Sequence, residues 1–270
     1  MSDSLRTNVA VGWDPVQYSR YEVERDRAAQ DLIARIPSDL QPAQIWDLGC
    51  GAGVHAAQLK HQYPDAAVHG LDSSPAMLGR ARLLDFNIDW RQADLRDWRP
   101  ERPADLVLAN ASLHWLPDHT TLFPRLATTL APGGVLAVQM PMAWDTRHHR
   151  VLRDVAAQGP WADRLDAVEA IAPLLPIEAY YGLMAELCTV DIWCTTYLHV
   201  LRGPDPVLEW MSGTALRPYL AALAADEAMT RAFLSELAAR LSEAFPPGPD
   251  GVTLLPFPRL FLMARRAAEA

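Results

Sequence analysis

Residues 44–63 read QIWDLGCGAGVHAAQLKHQY: an apolar segment, three glycines at alternate positions and an amphipathic segment. This order predicts a buried strand that passes through a tight loop directly into a helix. Gly49, Gly51 and Gly53 permit positive φ angles and let a ligand approach the backbone, while the helix N-terminus offers unpaired N–H groups. The dinucleotide fingerprint requires a glycine where Val54 stands. The loop therefore favours a nucleotide-like ligand other than a dinucleotide, although a simple strand–helix turn would show the same glycines.

The first half of the chain alternates predicted strands and helices. Strands are predicted at 44–49, 67–72, 88–95, 104–112 and 135–141, and helices at 28–36, 54–63, 74–84 and 121–130, the last ended by Ala131–Gly134. Ser74 is the expected N-cap of the third helix, with Pro75 at its first position. Short connections between alternating elements predict an α/β, doubly wound, mostly parallel sheet that is covered on both faces.

The second half of the chain is mainly helical, with strands at its middle and its end. We expect an N-terminal helical segment at 1–43, a Rossmann-like core at 44–145, helical cap insertions at 146–188 and 202–252, and last core strands at 189–201 and 253–266. Insertions at such places lie over the carboxyl edge of an open α/β sheet, where ligands bind.

Polar side chains stand at the predicted carboxyl ends of four successive strands. Asp47 precedes the glycines, Asp72 ends the second strand, Asp94 and Leu95 end the third, and Asn110 ends the fourth. Asp72 follows the loop by about 20 residues, the spacing of a ribose-binding acid. Each residue alone could cap a turn, but the set predicts a site for a cofactor that carries no phosphate.

Composition excludes several classes of function. The formal net charge of −9 and a pI near 5.3 argue against a nucleic-acid or membrane partner. No apolar run reaches about 18 residues, and the first residues lack the basic start and apolar core of a signal peptide, so we expect a cytoplasmic protein. His119, His148 and His149 have no carboxylate or thiol at ligand spacing, so no metal is expected.

The motifs WDLGCGAG, GLDSSPAML, ADLRDW and APGGVLAVQ resemble those of class I S-adenosylmethionine-dependent methyltransferases. The resemblance implies a seven-stranded sheet whose last strand is antiparallel. It implies that the glycine loop lies under the methionine part of S-adenosylmethionine, that Asp72 binds the ribose, that Asp94 and Leu95 contact the adenine, and that Asn110 lies near the sulfonium. The same motifs add three cofactor-binding candidates: Asp47, Ser73 and Met77.

A closer resemblance covers nearly the whole chain. The segments WDPVQYSRYEVERDRAAQDLIARI, ANASLHWLPDH, VDIWCTTYLHVL, LRPYL and FPRLFLMARR are similar to those of trans-aconitate methyltransferases, which methylate a carboxylate of a small tricarboxylic acid. A polyanion needs local cations and donors. The candidates for substrate binding are Tyr18, Arg27, His114, Trp115, Trp144, Tyr180, Tyr181, Arg217 and Arg259. Tyr180 and Tyr181 could equally be core residues, and the two arginines Arg217 and Arg259 surface ion pairs.

No catalytic acid–base pair is expected, because a carboxylate is already ionised and nucleophilic at neutral pH. The resemblance therefore implies a carboxyl O-methyltransferase that acts on a small polycarboxylate, with trans-aconitate first, and that needs no protein partner. Methylation of a malonyl thioester remains an alternative, for which Arg265 and Arg266 would offer a docking patch, as does a non-catalytic cofactor-binding protein. Met142, Arg147 and Ala28 depart from the family pattern. Met142 bears on the acceptor because its loop is expected to face the acceptor pocket.

Overall fold

The computed structural model describes residues 22–168 and 172–268. The chain divides into two compact units. The sheet unit comprises residues 25–143, 172–197 and 257–268, and the helical unit comprises residues 22–24, 144–168 and 198–256. Tyr18 and most of the predicted N-terminal segment lie outside the described residues. Within the described ranges, no helix is both long and apolar enough to cross a membrane.

The helices and strands have the following bounds. The strands are β1 (Gln44–Leu48), β2 (Ala67–Asp72), β3 (Asp89–Gln92), β4 (Ala104–Asn110), β5 (Leu130–Pro141), β6 (Cys188–Leu201) and β7 (Thr253–Arg266). The helices are α1 (Glu22–Ile33), α2 (Val54–Gln62), α3 (Pro75–Ala81), α4 (His119–Thr129), α5 (Arg147–Ala156), α6 (Ala162–Leu165), α7 (Ile177–Met184), α8 (Pro206–Ser212), α9 (Arg217–Leu223) and α10 (Glu227–Ala244). A 3₁₀ turn covers Leu113–Trp115.

The seven strands form one sheet in the order β3-β2-β1-β4-β5-β7-β6. The pairs β3–β2, β2–β1, β1–β4 and β4–β5 are parallel, and β7 pairs antiparallel with β5. The predicted doubly wound, mostly parallel sheet with an antiparallel last strand is confirmed. The strand order reverses between β1 and β4, and open sheets bind their ligands at the carboxyl ends of the strands on either side of such a point.

Helices cover both faces of the sheet, and alternate residues of each strand point to opposite faces. One face packs Leu136, Val138 and Met140 with residues of α4 and α7, and this apolar group is called the α4–α7 cluster. The other face packs Ile45, Leu106, Leu108 and other strand residues against α1 and α2, and is called the α1–α2 cluster. Side chains at odd numbers of β1 and β5, and at even numbers of β4 from Leu106 onward, belong to the α1–α2 face.

The helical unit has an apolar core of its own. The Trp161 ring meets the Phe233 ring edge to face, with ring centroids 5.3 Å apart. The Trp161 indole N–H donates to the Val155 carbonyl at 2.7 Å, which satisfies the polar atom of this buried ring. Asp226 accepts from the Met229 N–H at 3.0 Å and caps the long helix α10. These contacts stabilise the helices of this unit against one another.

Three boundaries differ from the sequence-based expectation. Helix α4 ends at Thr129, before Ala131, and the segment Ala131–Gly134 lies within β5, because Ala104 pairs with Leu130 and Leu106 pairs with Val135. The extra residues form a bulge in which Gly133 has φ +76° and a Cβ on Gly134 would lie 2.7 Å from the Ala104 carbonyl. Strand β3 is shorter than the predicted 88–95. Helix α7 belongs to the sheet unit, whereas the sequence assigned 146–188 to the cap.

Candidate cofactor and acceptor site

The three glycines of the loop between β1 and α2 have different physical requirements. All three have positive φ: +78° at Gly49, +54° at Gly51 and +83° at Gly53. A Cβ on Gly49 would lie 2.4 Å from the Cβ of Ser112, and a Cβ on Gly53 would lie 2.4 Å from the Trp90 ring. At Gly51, no atom of the described residues comes within 4 Å. Only Gly51 therefore borders open space, where a ligand could approach the backbone.

Asp72 anchors the glycine loop as well as ending β2. Its Oδ2 accepts from the Gly51 N–H at 2.9 Å, and its Oδ1 accepts from the Ser74 N–H at 2.8 Å. Each carboxylate oxygen has a second lone pair, so both can still accept from ribose hydroxyls. Ser73 is exposed, and Met77 is half-buried with its N–H donating to Ser74 Oγ at 3.3 Å, the predicted N-cap. The ribose role stays a prediction, and the loop-anchoring role is one that sequence reasoning missed.

Asp94 lies just beyond the end of β3 and is paired with Arg96. Both carboxylate oxygens lie 3.0 Å from Arg96 Nε, and Oδ2 lies 2.6 Å from Nη2. These hydrogen bonds hold the pKa of Asp94 at about 2, so the carboxylate is ionised at neutral pH. Leu95 is half-buried against the α4–α7 cluster. The predicted adenine contacts of the two residues stay predictions.

Two buried acceptor atoms at the reversal of the strand order lack hydrogen-bond partners among the described residues. They are Asp47 Oδ2 on β1 and Asn110 Oδ1 on β4. Burial raises the pKa of Asp47 to about 6; the charge of His55 opposes this shift and that of Asp72 adds to it. Unpaired buried acceptors beside an open backbone position suit a ligand that carries positive charge and N–H or O–H donors. S-adenosylmethionine carries both, so these residues fit it.

Side-chain hydrogen bonds join helix α1 to α2, the helix that follows the glycine loop. Asp26 Oδ1 lies 2.8 Å from His55 Nε2, and the side-chain amides of Gln30 and Gln58 exchange hydrogen bonds of 2.9 and 2.8 Å. Burial alone would lower the pKa of His55, but the hydrogen bond to Asp26 and the charge of Asp47 raise it above its ordinary value. Sequence reasoning missed this attachment, which holds the start of the described chain beside the loop.

Arg259 is a buried cation at the carboxyl edge of the sheet. It lies on β7 opposite Pro141 and is 7% exposed. Burial and, next, the Arg259 charge lower the pKa of His114 to about 3, so this imidazole is neutral at physiological pH. Nδ1 of His114 is buried and has no hydrogen-bond partner within the described ranges. Trp115 is 55% exposed, with its ring centroid 4.8 Å from that of His114. The structure thus brings three predicted acceptor residues to one edge.

Tyr180 lies in the core instead of at a ligand surface. Its side chain is fully buried, and its ring meets Phe123 edge to face at 4.8 Å. The Tyr180 O–H donates to His119 Nδ1 at 2.7 Å, His119 Nε2 donates to a backbone carbonyl, and the Leu175 N–H donates to the Tyr180 oxygen at 3.2 Å. The geometry corrects the substrate-binding prediction for Tyr180 in favour of the core alternative. Because both His119 nitrogens are engaged, this imidazole is also unsuited to a metal.

The remaining acceptor candidates are divided between the two units. Tyr181 is 56% exposed on α7, and Arg27 is exposed with its guanidinium 5.2 Å from the Tyr197 ring centroid. Arg217 is the exposed first residue of α9. The guanidinium carbon of Arg153 lies 4.0 Å from the ring centroid of Trp144. Arg217 and Trp144 both belong to the helical unit. Their substrate roles stay predictions. No cluster of potential metal ligands occurs among the residues that the structure describes.

Sequence reasoning missed two residues at the glycine loop and strand edge. Ser112 Oγ donates to the Leu48 carbonyl at 2.6 Å, which presses the chain after β4 onto Gly49. Gln139 lies in register with Asn110, is 1% exposed, and has a buried Nε2 without a hydrogen-bond partner in the described chain. A polar residue near the end of the otherwise apolar segment VLAVQMP is the signal that could have identified Gln139.

Comparisons with known proteins agree with this fold. A family model described as a methyltransferase domain matches residues 45–134. Phosphoethanolamine N-methyltransferase 2 of Haemonchus contortus, solved with S-adenosyl-L-methionine, superposes with a TM-score of 0.52 at 15% identity, covering 89% of this chain and 52% of that chain. The YcgJ protein of Bacillus subtilis gives a TM-score of 0.53 at 12% identity, covering 93% and 100%. The fold is that of the class I methyltransferases, as predicted.

Sequence relatives identify the family more narrowly. A trans-aconitate 2-methyltransferase of Methylobacterium nodulans is 50% identical over 94% of this chain and 98% of that protein. Another trans-aconitate 2-methyltransferase, from Azoarcus sp., is 48% identical over 94% of this chain and 99% of that protein. The chain belongs to the trans-aconitate 2-methyltransferase family, which confirms the resemblance found in the sequence.

Proposed function

We propose that this protein transfers the methyl group of S-adenosylmethionine to a carboxylate of trans-aconitate and releases a methyl ester. The observation that carries the proposal is the buried cation of Arg259 beside the neutral His114, at the same sheet edge as Asn110. In a protein of net charge −9, a buried arginine at a ligand edge supports an anionic acceptor. The names of the close relatives support the identity of that acceptor.

The residues that would hold the cofactor are Asp47, Gly51, Asp72, Asp94 and Asn110. When bound, S-adenosylmethionine supplies a methyl group on a positively charged sulfur, and an ionised carboxylate can attack the carbon of this methyl group directly. The glycine loop leaves room at Gly51. The oxygens of Asp47 and Asn110 that have no partner among the described residues would accept hydrogen bonds from the cofactor and attract its positive charge. These groups position the methyl donor and exclude water, and no proton has to be moved.

The acceptor side needs to hold an anion without taking its proton. Arg259 supplies charge and planar donors, and His114, with a pKa of about 3, cannot act as a cation at neutral pH. The absence of an acid–base pair from the proposed mechanism agrees with an acceptor whose pKa lies near 4. Binding and orientation of an already nucleophilic oxygen are therefore the tasks of these residues.

The alternative acceptor, a malonyl group on a carrier, is less well supported. Arg265 donates to the Gly133 carbonyl at 3.1 Å and pairs with Asp39 at 2.8 Å. Arg266 Nη1 donates to the Leu130 carbonyl and, at 3.2 Å, to the Thr128 carbonyl. Both arginines hold the end of β7 within the sheet unit, so they do not favour a docking patch.

Transfer of an isotope label tests the proposal. Purified protein is incubated with methyl-labelled S-adenosylmethionine and, separately, trans-aconitate, cis-aconitate, citrate and a malonyl thioester. We expect labelled monomethyl ester from trans-aconitate at the highest kcat/KM. Label transfer to the malonyl thioester alone, or to none of the acids by a protein that still binds the cofactor, would contradict it.

A variant at Arg259 tests the anion site. Arg259→Gln should raise KM for trans-aconitate while leaving the affinity for S-adenosylhomocysteine unchanged. Arg102→Gln, at an exposed arginine, is the matched control and should change neither. Equal loss of cofactor affinity in Arg259→Gln would move Arg259 out of the acceptor site.

A further inference from the structure

Gln139 is a buried amide in a strand that otherwise buries apolar side chains. Its neighbours along β5, Val138 and Met140, are fully buried in the α4–α7 cluster on the opposite face. The side chain of Gln139 is 1% exposed, and Nε2 has no hydrogen-bond acceptor among the described residues. A buried donor without a partner costs free energy, so its retention needs an explanation.

The strand register places Gln139 at the site described above. Gln139 pairs with Asn110 on β4 and with Phe261 on β7, while Arg259 lies opposite Pro141, two residues further along β5. Residues paired in register, and residues two apart on one strand, point to the same face. Asn110, Gln139 and Arg259 therefore project from one face on three adjacent strands, which lie about 4.8 Å apart.

The two neighbouring amides do not satisfy each other. Asn110 Oδ1 is an acceptor and Gln139 Nε2 is a donor, and each is buried without a partner in the described parts of the chain. If their only role were packing, a hydrogen bond between these register partners would remove both costs. An unpaired donor between an unpaired acceptor and a buried cation indicates a ligand that accepts at this position.

We propose that Gln139 Nε2 donates to the acceptor carboxylate that is methylated, while Arg259 holds a second carboxylate of the same molecule. This assignment rests on the proposed function and deepens it by dividing the two anionic groups between a neutral donor and a cation. In the transfer, one carboxylate oxygen forms a bond to the methyl carbon while the carbon–sulfur bond breaks and its electron pair stays on sulfur.

Electrostatics explain why a neutral donor suits the reacting group. The negative charge of the carboxylate and the positive charge of sulfur both decrease as the bond to carbon forms. A cation on the reacting carboxylate would therefore stabilise the reactants more than the transition state and slow the reaction. The amide N–H of Gln139 holds one oxygen, leaves the other free to attack, and can still donate to the ester carbonyl that results.

Two variants that keep the shape of Gln139 test the assignment. Gln139→Met removes the donor and should lower kcat/KM for trans-aconitate about 10- to 100-fold, the range expected for one hydrogen bond to a charged group. Gln139→Glu replaces the donor with an acceptor and should lose more activity near pH 8. Part of this loss should be recovered near pH 5.5, because a buried glutamic acid is protonated there and can donate again.

Controls separate this assignment from a structural role and from the proposed function. Met140→Leu, on the same strand but the opposite face, should keep wild-type kinetics, and all variants should bind S-adenosylhomocysteine as wild type does. Gln139→Met with wild-type kinetics, a matching loss of cofactor affinity, or no pH recovery in Gln139→Glu refutes the role of Gln139 alone. A wild-type protein that binds the cofactor but makes no ester of trans-aconitate refutes the proposed function instead.

Discussion

The buried carboxylate of Asp47 should make the cofactor-free protein less stable than a variant with an uncharged side chain at this position. Its side chain is 1% exposed, and burial raises its pKa from an ordinary 3.8 to about 6. Raising the pKa from 3.8 to about 6 corresponds to a free energy of about 3 kcal/mol, because each tenfold change in proton affinity is worth about 1.4 kcal/mol. Because the folded-state pKa is the higher one, the folded state binds the proton more tightly. The cost is absent below the unfolded pKa, grows as the pH rises, and is complete above the folded pKa of about 6.

Asp47→Asn removes this cost while keeping the shape of the side chain. We expect the free energy of unfolding of the cofactor-free variant to exceed that of wild type by up to about 3 kcal/mol at pH 8, and by much less near pH 4.5. Urea unfolding at both pH values measures the difference, with Asp85→Asn, at an exposed carboxylate, as the control. A variant that is no more stable than wild type at pH 8 would show that the carboxylate already has a stabilising partner.

The same substitution should weaken cofactor binding. The ionised carboxylate attracts the positive charge of S-adenosylmethionine, so Asp47→Asn should reduce its affinity about 10- to 100-fold, the range for a hydrogen bond to a charged group. In wild type, affinity should fall as the pH drops through about 6, because protons compete for Asp47; in the variant this dependence should disappear. Calorimetry from pH 5 to 8 tests both statements, and identical pH profiles for the two proteins would refute the reasoning.

Two further predictions concern side chains whose roles the structure separates. Gly53→Ala places a methyl group 2.4 Å from an indole ring and should lower the unfolding temperature, whereas Gly51→Ala should fold with a penalty of about 1–2 kcal/mol but lose S-adenosylmethionine affinity in calorimetry. Equal effects on folding would contradict this division. Tyr180→Phe leaves the buried His119 Nδ1 and the part-buried Leu175 N–H without their shared partner and should cost about 1–3 kcal/mol of stability without raising KM for trans-aconitate. A higher KM at unchanged stability would restore Tyr180 to the acceptor site.

Elements that are defined by a continuous apolar run or by a local cap were predictable from the sequence. The strands β1, β4 and the helix α3 have apolar runs or local caps that depend on few residues, and Ser74 caps α3 as expected. The start of β5 was not predictable, because proline and two glycines usually end an element, and only pairing with β4 turns them into a bulge. The core position of Tyr180 was not predictable for a related reason: its burial depends on Phe123 and His119, which lie far away in sequence.

The glycine loop shows most clearly where sequence reasoning stops. The motif alone suggested that all three glycines make room for the cofactor, but two of them make room for the protein. Ser112 presses on Gly49 and Trp90 presses on Gly53, and both contacts come from distant strands or loops that no local spacing encodes. Open space at Gly51 is not enough to recognise a ligand, because the Gly51 N–H already donates to Asp72. We therefore propose that recognition depends on the buried oxygens of Asp47 and Asn110 that have no partner among the described residues. This role would explain why a carboxylate with a raised pKa is retained there despite its cost to the fold.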